Sequence, residues 1–507
     1  MWQSAVGRQR LARALSQVAR GILPQFSLGR MGFLPVLMLI LWIRLPMMAQ
    51  PVSQRLCSAG LGAAIEAIID RPSLARAHWG ILVQTLAAAP SARRTLYARS
   101  AQQYFIPAST AKLLTTAAAL QTLGPQFRIR TSVYRMDLAD QVILRVVGRG
   151  DPSLSRKDLQ ELAHQVQQQG IRQVDRLLAD DRYFRGDPIH PNWEWEDIQS
   201  GYGAPVNSLI LNQNAIGLEL FPQAVGQPLQ VKWEDAEAAI GWTIENTSIT
   251  VGPSEPEFVE VGRDVRRPIL RVRGQLRVGS APDSAAVAVL DPAEVFLKQF
   301  QKALVAQQIQ VRQASLDRTV EPGKQQEVGA IESPPLMALI QEINQTSNNL
   351  YAEAILRTLG TVDNPEDSSL SIGLQRMKTT LTRLGVNPSG YDLADGSGLS
   401  RHSLASPEAL VQTLQAMASV SAYRASLPTT ATAGSLQRRF EDLPVQTIVQ
   451  AKPGTMTGVV ALAGYLSNPD FQPLAFSLIV NQSPLPVREL RQAIDDLVKV
   501  MARLQSC

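Results

Sequence analysis

The chain has 507 residues, of which 45% are hydrophobic and 18% are charged, a composition typical of globular proteins. Its formal net charge of +5 comes from residues 1–50, which contain six arginines and no aspartate, glutamate or lysine. Removing those six charges leaves −1 on the remainder, so a basic nucleic-acid-binding surface is not expected in the body of the chain.

Residues 1–50 have the three parts of an export signal. Arginines up to residue 30 form a basic region, Gly32–Ile43 is apolar, and the region up to Ala49 has the place of a cleavage site. The apolar part has 12 residues, fewer than the roughly 20 that a membrane-spanning helix needs. We expect an exported protein, on the periplasmic or cell-wall side of the membrane. Its signal is either cleaved or kept as an anchor that associates with the membrane.

The body of the chain begins with a predicted helix and two predicted strands. Cys57–Ile69 has apolar residues at helical spacing, whereas Trp79–Leu86 and Arg94–Ala98 have the pattern of strands. A second helix is predicted from Ser109 to Leu123, because a Gly-Pro stop signal follows directly.

Residues from about 133 to 332 contain many strand-like runs separated by glycine and proline. The runs include Val142–Val147, Leu229–Trp233, Trp242–Val251, Ile269–Leu276 and Ala285–Leu290. This pattern predicts strand-rich domains inserted between the first and last parts of the chain.

The last part returns to helices and longer strands. The predicted elements are helices Pro335–Asn344 and Leu350–Leu359, strands Val445–Ala451, Val459–Leu466 and Pro473–Asn481, and a final helix Leu485–Leu504. Residues 51–132 and 333–507 are therefore predicted to form one α/β domain together, with residues 133–332 inserted into it.

Ser109 and Lys112 begin the second predicted helix with S-x-x-K spacing. Residues three apart lie on the same helix face, so the amine can reach the hydroxyl. A lysine that is removed from water can act as the base for such a serine, without any histidine. Taken alone, the pattern also fits a helix start followed by a chance surface lysine.

Two later segments complete an ordered set. Ser347-Asn348-Asn349 lies between two predicted helices, and Lys452-Pro453-Gly454 follows an apolar run. Separately, these segments read as an inter-helix turn and a strand end. In the order S-x-x-K, S-x-N, K-x-G, they are similar to the signature of penicillin-recognising serine acyl-transferases.

Further segments carry the same resemblance. They are Gly148–Leu154, the W-x-W-x-D block Trp193–Asp197, the following Tyr202–Val206, and the segments Asp395–Arg401 and Pro473–Phe476. Together with the three motifs, they resemble the D-alanyl-D-alanine carboxypeptidase/endopeptidase family of class C low-molecular-mass penicillin-binding proteins. The resemblance covers nearly the whole chain after about residue 55.

The resemblance implies a penicillin-binding, transpeptidase-like α/β domain, an antiparallel sheet flanked by helices, with two inserted domains, one nested in the other. It implies a serine-type D-Ala-D-Ala carboxypeptidase, also a D,D-endopeptidase, that acts on peptidoglycan stem peptides and is acylated by β-lactams. In that scheme Ser109 is the nucleophile, Lys112 is its base, Ser347 passes a proton to the leaving amine, Asn349 holds the substrate amide, and Lys452 attracts the terminal carboxylate.

The substrate-binding residues that the resemblance implies are Gly454, Thr455, Asp197 and Arg401. The backbone N–H groups of Ser109 and Thr455 would form the oxyanion hole. Asp197 and Arg401 match positions near the pocket for a free amine of the peptide, although capping or salt-bridging roles would also explain them.

One position departs from the family pattern. The usual K-T-G is here Lys452-Pro453-Gly454, and proline lacks the threonine hydroxyl that helps to hold the substrate carboxylate. Thr455 keeps one hydroxyl on the same strand face. Proline is tolerated at a sheet edge or strand end, so we expect weakened carboxylate recognition rather than loss of the fold or the chemistry.

Cys57 and Cys507 are the only cysteines in the sequence. Export permits a disulfide, and the termini of compact domains often lie close together. The sequence leaves two alternatives, one disulfide or two free thiols.

The four histidines are scattered without a pair at metal-ligand spacing, and no nucleotide fingerprint occurs, so no metal or cofactor is expected. Two alternatives to a carboxypeptidase stay open. One is a β-lactamase, which needs fast deacylation. The other is a catalytically silent wall-binding protein, which the departure at Pro453 from the K-T-G motif would favour.

Overall fold

The computed structural model describes residues 55–138, 141–317, 324–361, 367–430, 434–437, 439–440 and 442–507, and the predicted export signal lies outside them. Within these ranges, helices long and apolar enough to span a membrane are absent. The α-helices are α1 Leu61–Ile69, α2 Lys112–Leu123, α3 Arg156–Gln168, α4 Pro292–Ala306, α5 Leu336–Gln345, α6 Asn349–Leu359, α7 Ser369–Arg383, α8 Pro407–Met417, α9 Ser421–Ser426 and α10 Val487–Ala502.

The strands divide among several sheets. They are β1 Leu56–Cys57, β2 His78–Thr85, β3 Thr95–Arg99, β4 Arg130–Leu138, β5 Gln141–Val147, β6 Gln173–Asp180, β7 Ala215–Phe221, β8 Gln230–Trp233, β9 Thr243–Asn246, β10 Ile249–Val251, β11 Phe258–Arg263, β12 Ile269–Arg277, β13 Asp283–Ala288, β14 Gln310–Leu316, β15 Gln326–Glu332, β16 Tyr391–Asp392, β17 Leu404–Ala405, β18 Ile448–Met456, β19 Val459–Asn468, β20 Phe471–Asn481 and β21 Leu504–Gln505.

The sheet that supports the site joins the first and last parts of the chain. Its strand order is β18-β19-β20-β2-β3, and all four pairings are antiparallel. Strand side chains alternate between two cores, as Leu82 packs in the core that contains α2, whereas Ile81 packs against α1 and α10. The predicted α/β fold with an antiparallel sheet flanked by helices is confirmed.

The two ends of the described chain are tied together. β1 pairs with β21 in parallel, and a disulfide joins Cys57 to Cys507, whose Cα atoms lie 5.8 Å apart. The structure therefore contains the disulfide, one of the two alternatives that the sequence leaves open.

The segment between β4 and β15 forms separate sheets. The largest has the order β14-β6-β5-β4-β15, and α3 and α4 pack on it. Two smaller sheets, β13-β7-β8 and β10-β12-β11 with β9 beside β12, share one apolar core. The domain boundaries at residues 132/133 and 332/333 stay a prediction, and the nearest strands are β4, from Arg130, and β15, which ends at Glu332.

Two details differ from the sequence patterns. The strand-rich segment also contains the helices α3 and α4, of 13 and 15 residues. Strand β18 continues through Pro453 to Met456 instead of stopping at Ala451. Proline is accommodated there because β18 is an edge strand of its sheet.

Candidate active site

Ser109 lies in a short 3₁₀ turn, Ala108–Ala111, that leads directly into α2. The preceding residue, Ala108, has a left-handed backbone with φ of 47° and is fully buried. Strained backbone of this kind clusters at functional sites. The turn leaves Ser109 partly exposed at the start of the helix.

Strand β18 passes directly beside this turn. A Cβ atom on Gly454 would lie 2.9 Å from the Pro107 carbonyl oxygen and 3.0 Å from the Ser109 nitrogen. Since both neighbours are backbone atoms, a larger residue would push the strand away from Ser109. This close approach explains the glycine of the K-x-G motif.

The amine of Lys112 is fully buried behind Ser109. Its Nζ atom donates to Ser109 Oγ at 3.0 Å, to Asn349 Oδ1 at 2.7 Å, and to the Ser397 carbonyl oxygen at 2.7 Å. Burial lowers the pKa of Lys112 to about 7, although the nearby Asp395 and Glu353 carboxylates oppose the decrease. A substantial fraction of this amine is therefore neutral near pH 7.

The S-x-N segment brings Asn349 to this amine. The Asn348 side chain caps α6 by accepting from the Tyr351 backbone N–H at 3.1 Å. Asn349 then contacts Lys112 through its oxygen, and its Nδ2 donates to the Tyr202 carbonyl at 3.0 Å. The asparagine is thus held from both ends of its amide.

Ser347 precedes these asparagines in a left-handed conformation, with φ of 66°. Its side chain is partly exposed. Among the described residues, the Ser347 hydroxyl has no hydrogen-bond partner, so it is free to contact a substrate.

Lys452 is the second fully buried lysine of the site. Burial, followed by repulsion from Lys112, lowers its pKa well below the ordinary value. Its Nζ atom donates to its neighbour's carbonyl, Pro453 O, at 3.3 Å. Two buried lysines close enough to repel each other favour a neutral amine on at least one of them.

The outer edge of β18 explains how Pro453 fits. The Ala451 N–H points away from β19, because it donates to the Pro428 carbonyl at 3.0 Å. Backbone groups alternate along a strand, so the nitrogens of Pro453 and Thr455 also face this outer side. Proline therefore costs no ladder hydrogen bond, and the Thr455 N–H is directed at the open edge beside Ser109.

Asp197 and Arg401 lie near one another but do not pair. Asp197 Oδ1 accepts from the Tyr202 hydroxyl at 3.1 Å, and Oδ2 is buried without a partner among the described residues. Burial raises the pKa of Asp197, and the positive charge of Arg401 slightly opposes this. Arg401 Nε instead pairs with Glu194 at 3.0 Å, and its Nη2 donates to Thr457 O at 3.1 Å, just past β18.

Comparison with known proteins identifies the family. The model of the D-Ala-D-Ala carboxypeptidase 3 (S13) family matches residues 61–503. A D-alanyl-D-alanine carboxypeptidase of Actinomadura sp. (strain R39) is 30% identical over 494 residues, with 92% of this chain and 88% of that protein covered. The chain belongs to the D-Ala-D-Ala carboxypeptidase 3 (S13) family. The family predicted from the motifs is confirmed, and the protein is a serine carboxypeptidase.

Other relatives extend the similarity. Penicillin-sensitive carboxypeptidase A of Dictyostelium discoideum is 27% identical, with 84% of this chain and 87% of that protein covered. The crystal structure of penicillin binding protein 4 (dacB) from Haemophilus influenzae aligns with a TM-score of 0.73 at 21% identity, covering 86% of this chain and 98% of that one. The fold of the carboxypeptidase is therefore that of a penicillin-binding protein.

Sequence reasoning missed one group of this carboxypeptidase site. Asp395 Oδ1 accepts from the Gly398 N–H at 3.0 Å, and Glu353 Oε1 accepts from the Gly396 and Ser397 N–H groups at 2.8 and 2.7 Å. These two buried carboxyl groups hold the loop whose carbonyl contacts Lys112. The signal was present, since Glu353 lies four residues after Asn349 and hence on the same helix face.

Proposed function

We propose that Ser109 of this carboxypeptidase forms an acyl-enzyme with peptidoglycan stem peptides that end in D-Ala-D-Ala. The observation that carries the proposal is the buried Lys112 amine, 3.0 Å from Ser109 Oγ and with its pKa lowered to about 7. A neutral amine at this distance can remove the serine proton while the hydroxyl attacks.

Acylation begins with attack of Ser109 Oγ on the carbonyl carbon of the penultimate D-alanine. The serine proton moves to the lone pair of Lys112, whose two remaining N–H bonds stay on Asn349 Oδ1 and the Ser397 carbonyl. The oxyanion accepts from the backbone N–H groups of Ser109 and Thr455. Such a preorganised donor stabilises the transition state by about 3 kcal/mol.

Collapse of the tetrahedral intermediate breaks the peptide bond. Ser347 passes the proton held by Lys112 on to the leaving nitrogen, which departs as terminal D-alanine. Lys112 is then neutral again when water hydrolyses the acyl-enzyme. A β-lactam would acylate Ser109 in the same way, but its leaving nitrogen stays attached through the opened ring. If the leaving amine belongs to a cross-linked peptide, the same step is a D,D-endopeptidase reaction, and we include this activity in the proposal.

The substrate contacts follow from the charges around the nucleophile. The protonated form of Lys452 would supply positive potential for the terminal carboxylate, whose negative charge favours that form, and the Thr455 hydroxyl is available on the partly exposed edge of β18. Gly454 allows the strand to approach the substrate. The unpartnered Asp197 Oδ2 is suited to a free amine of the stem peptide, with Arg401 beside it.

We also propose that the protein is exported and acts on the cell-wall side of the membrane, where peptidoglycan lies. The arginine-rich, then apolar, residues 1–50 support export. The disulfide between Cys57 and Cys507 fits an oxidising compartment. Association with the membrane depends on whether the N-terminal segment is retained.

Two assays on one preparation test the function. A fluorescent penicillin reports acylation, and D-alanine released from a synthetic peptide ending in D-Ala-D-Ala reports turnover. The carboxypeptidase is expected to give a lasting label and to release D-alanine. Rapid loss of the label with hydrolysed penicillin would indicate a β-lactamase instead, and neither label nor D-alanine would indicate a silent wall-binding protein.

A further inference from the structure

Glu353 is a buried carboxyl group in α6 to which the scheme above gives no role. It is 1% exposed and lies one helical turn after Asn349. Its Oε1 atom accepts from the Gly396 and Ser397 backbone N–H groups at 2.8 and 2.7 Å. Oε2 has no hydrogen-bond partner among the described residues, so the contacts of this side chain are concentrated on the one loop.

The loop 395–398 joins Glu353 to the catalytic lysine. The Ser397 carbonyl, on the residue whose N–H binds Glu353, accepts from Lys112 Nζ at 2.7 Å. Asp395 binds the same loop through the Gly398 N–H and the Ser397 hydroxyl, both at 3.0 Å. A Cβ atom on Gly398 would lie 2.0 Å from the Ala108 carbonyl, so the loop also packs tightly on the turn that carries Ser109.

The direction of the Lys112 lone pair depends on this loop. A neutral amine has two N–H bonds and one lone pair. When Asn349 Oδ1 and the Ser397 carbonyl accept those two N–H bonds, the lone pair is left for the Ser109 hydroxyl. If the carbonyl moved, the amine would be free to rotate and the lone pair would lose its alignment.

We propose that Glu353 is a positioning residue for acylation, because its Oε1 atom fixes the Ser397 carbonyl against the Lys112 amine. The inference rests on the proposed acyl-enzyme chemistry of Ser109 and Lys112. It assigns the role to an acceptor oxygen and not to a negative charge. The charged or titratable groups that face Glu353 are Asp395, His190, Arg357 and Lys112.

The electrostatic surroundings indicate which substitution preserves the role. Burial raises the pKa of the Glu353 carboxyl group, and the Asp395 carboxylate adds to the increase. The neutral carboxyl form that this favours has nearly the shape of a glutamine side chain. Glutamine keeps an acceptor oxygen for the two N–H groups, whereas methionine has a similar volume and no such oxygen.

The test compares the rates at which fluorescent penicillin acylates E353Q, E353M and the wild type, each measured over a range of penicillin concentrations. E353M is expected to acylate about 100-fold more slowly at saturation, because the base is misaligned. Its non-covalent affinity for penicillin should change little, since Glu353 does not face the substrate. E353Q is expected to acylate close to the wild-type rate.

Thr358→Val is the matched control in the same helix. Thr358 is 2% exposed, and its hydroxyl binds the Ala354 carbonyl at 2.8 Å, away from the loop. T358V should acylate at the wild-type rate, which separates a general disturbance of α6 from loss of the loop contact.

A wild-type acylation rate in E353M would overturn the inference, as would an E353Q rate as low as that of E353M. If E353M does not fold, E353Q decides alone: a rate near wild type supports the acceptor role, and a fall of about 100-fold contradicts it. Failure of the proposed function looks different, because the wild type itself would then not be acylated at Ser109.

Discussion

The Lys112 amine lies 3.0 Å from the Ser109 hydroxyl, with the lysine fully buried and the serine partly exposed. This arrangement divides the site into a dry interior and an open face. The Lys112 amine is kept partly neutral because it is removed from water, while the Ser109 hydroxyl stays accessible. Because the two residues are three apart at the start of α2, the lysine amine can be buried while it still contacts the partly exposed serine hydroxyl.

The first prediction concerns pH. Lys112, with a pKa of about 7, acts as a base only in its neutral form, so acylation should be fast above pH 7. Below that value, the rate should fall about tenfold for each pH unit, because the fraction of Lys112 in the neutral amine form falls by that factor. The measurement is the rate of penicillin acylation as a function of pH, and a flat profile between pH 5 and 8 would argue against Lys112 as the base.

Lys112→Arg tests the same base by substitution. Arginine stays protonated at all relevant pH values, so acylation should fall by a factor of about 10² to 10⁴. The matched control is Lys302→Arg, because Lys302 is half-exposed and pairs with Glu237 at 2.9 Å, far along the chain from the site. K302R should keep the wild-type rate.

A second prediction concerns Pro453. The P453T variant should gain a hydroxyl for the substrate carboxylate and a higher kcat/KM on peptides that end in D-Ala-D-Ala. A hydrogen bond to a charged group stabilises by about 1.5–3 kcal/mol, or roughly 10- to 150-fold. The gain should shrink on a peptide with an amidated terminus, where the carboxylate is absent.

P453V is the matched control, since valine has the branched shape of threonine but no hydroxyl. It should not show the gain. Unchanged or lower activity of P453T on the free acid would mean that this site recognises the carboxylate by other means. The expectation that Pro453 weakens carboxylate recognition would then be wrong.

A third prediction follows from the disulfide. Cys57 and Cys507 are separated by 450 residues, so the bond closes a very long loop in the unfolded chain. Removing it by C57S and C507S together should lower the free energy of unfolding by roughly 2–5 kcal/mol. Thiol titration of the denatured, unreduced protein should find no free thiol. Two free thiols in protein from an oxidising compartment would contradict the disulfide.

A fourth prediction concerns Asp197. D197N should lower kcat/KM for stem peptides with a free side-chain amine by about tenfold or more, because one charge-assisted hydrogen bond is lost. The same peptides with an acetylated amine should react equally with both proteins. Glu194→Gln is the control, since Glu194 already pairs with Arg401. An equal loss on both peptides would exclude an amine pocket at Asp197.

The sequence predicted the parts of the site that depend on local spacing. Ser109 and Lys112 are about one helical turn apart, and Asn349 follows a cap residue at the start of α6. Both placements therefore depend on only a few neighbouring residues. The sheet formed from both ends of the chain was also predictable, because strand patterns recur after residue 445. The order of the three motifs in the sequence then pointed to the family.

The contacts of the loop 395–398 could not be predicted in this way. Glu353 and Ser397 are 44 residues apart, and the hydrogen bond is donated by the Ser397 backbone N–H to the Glu353 side chain. Every residue type except proline has a backbone N–H, so the residue type at position 397 does not predict this contact. The pairing of Arg401 with Glu194 could not be predicted either, because the sequence contains many other residues of opposite charge with which each could pair. Tertiary packing decides such contacts.

The most direct measurement of the central claim is mass spectrometry of the intact protein and its peptides after treatment with penicillin. We expect one added penicillin per chain, carried by the peptide that contains Ser109, and none on the S109A variant. An adduct on another serine, such as Ser347 or Ser397, or an S109A protein that is still labelled, would contradict it.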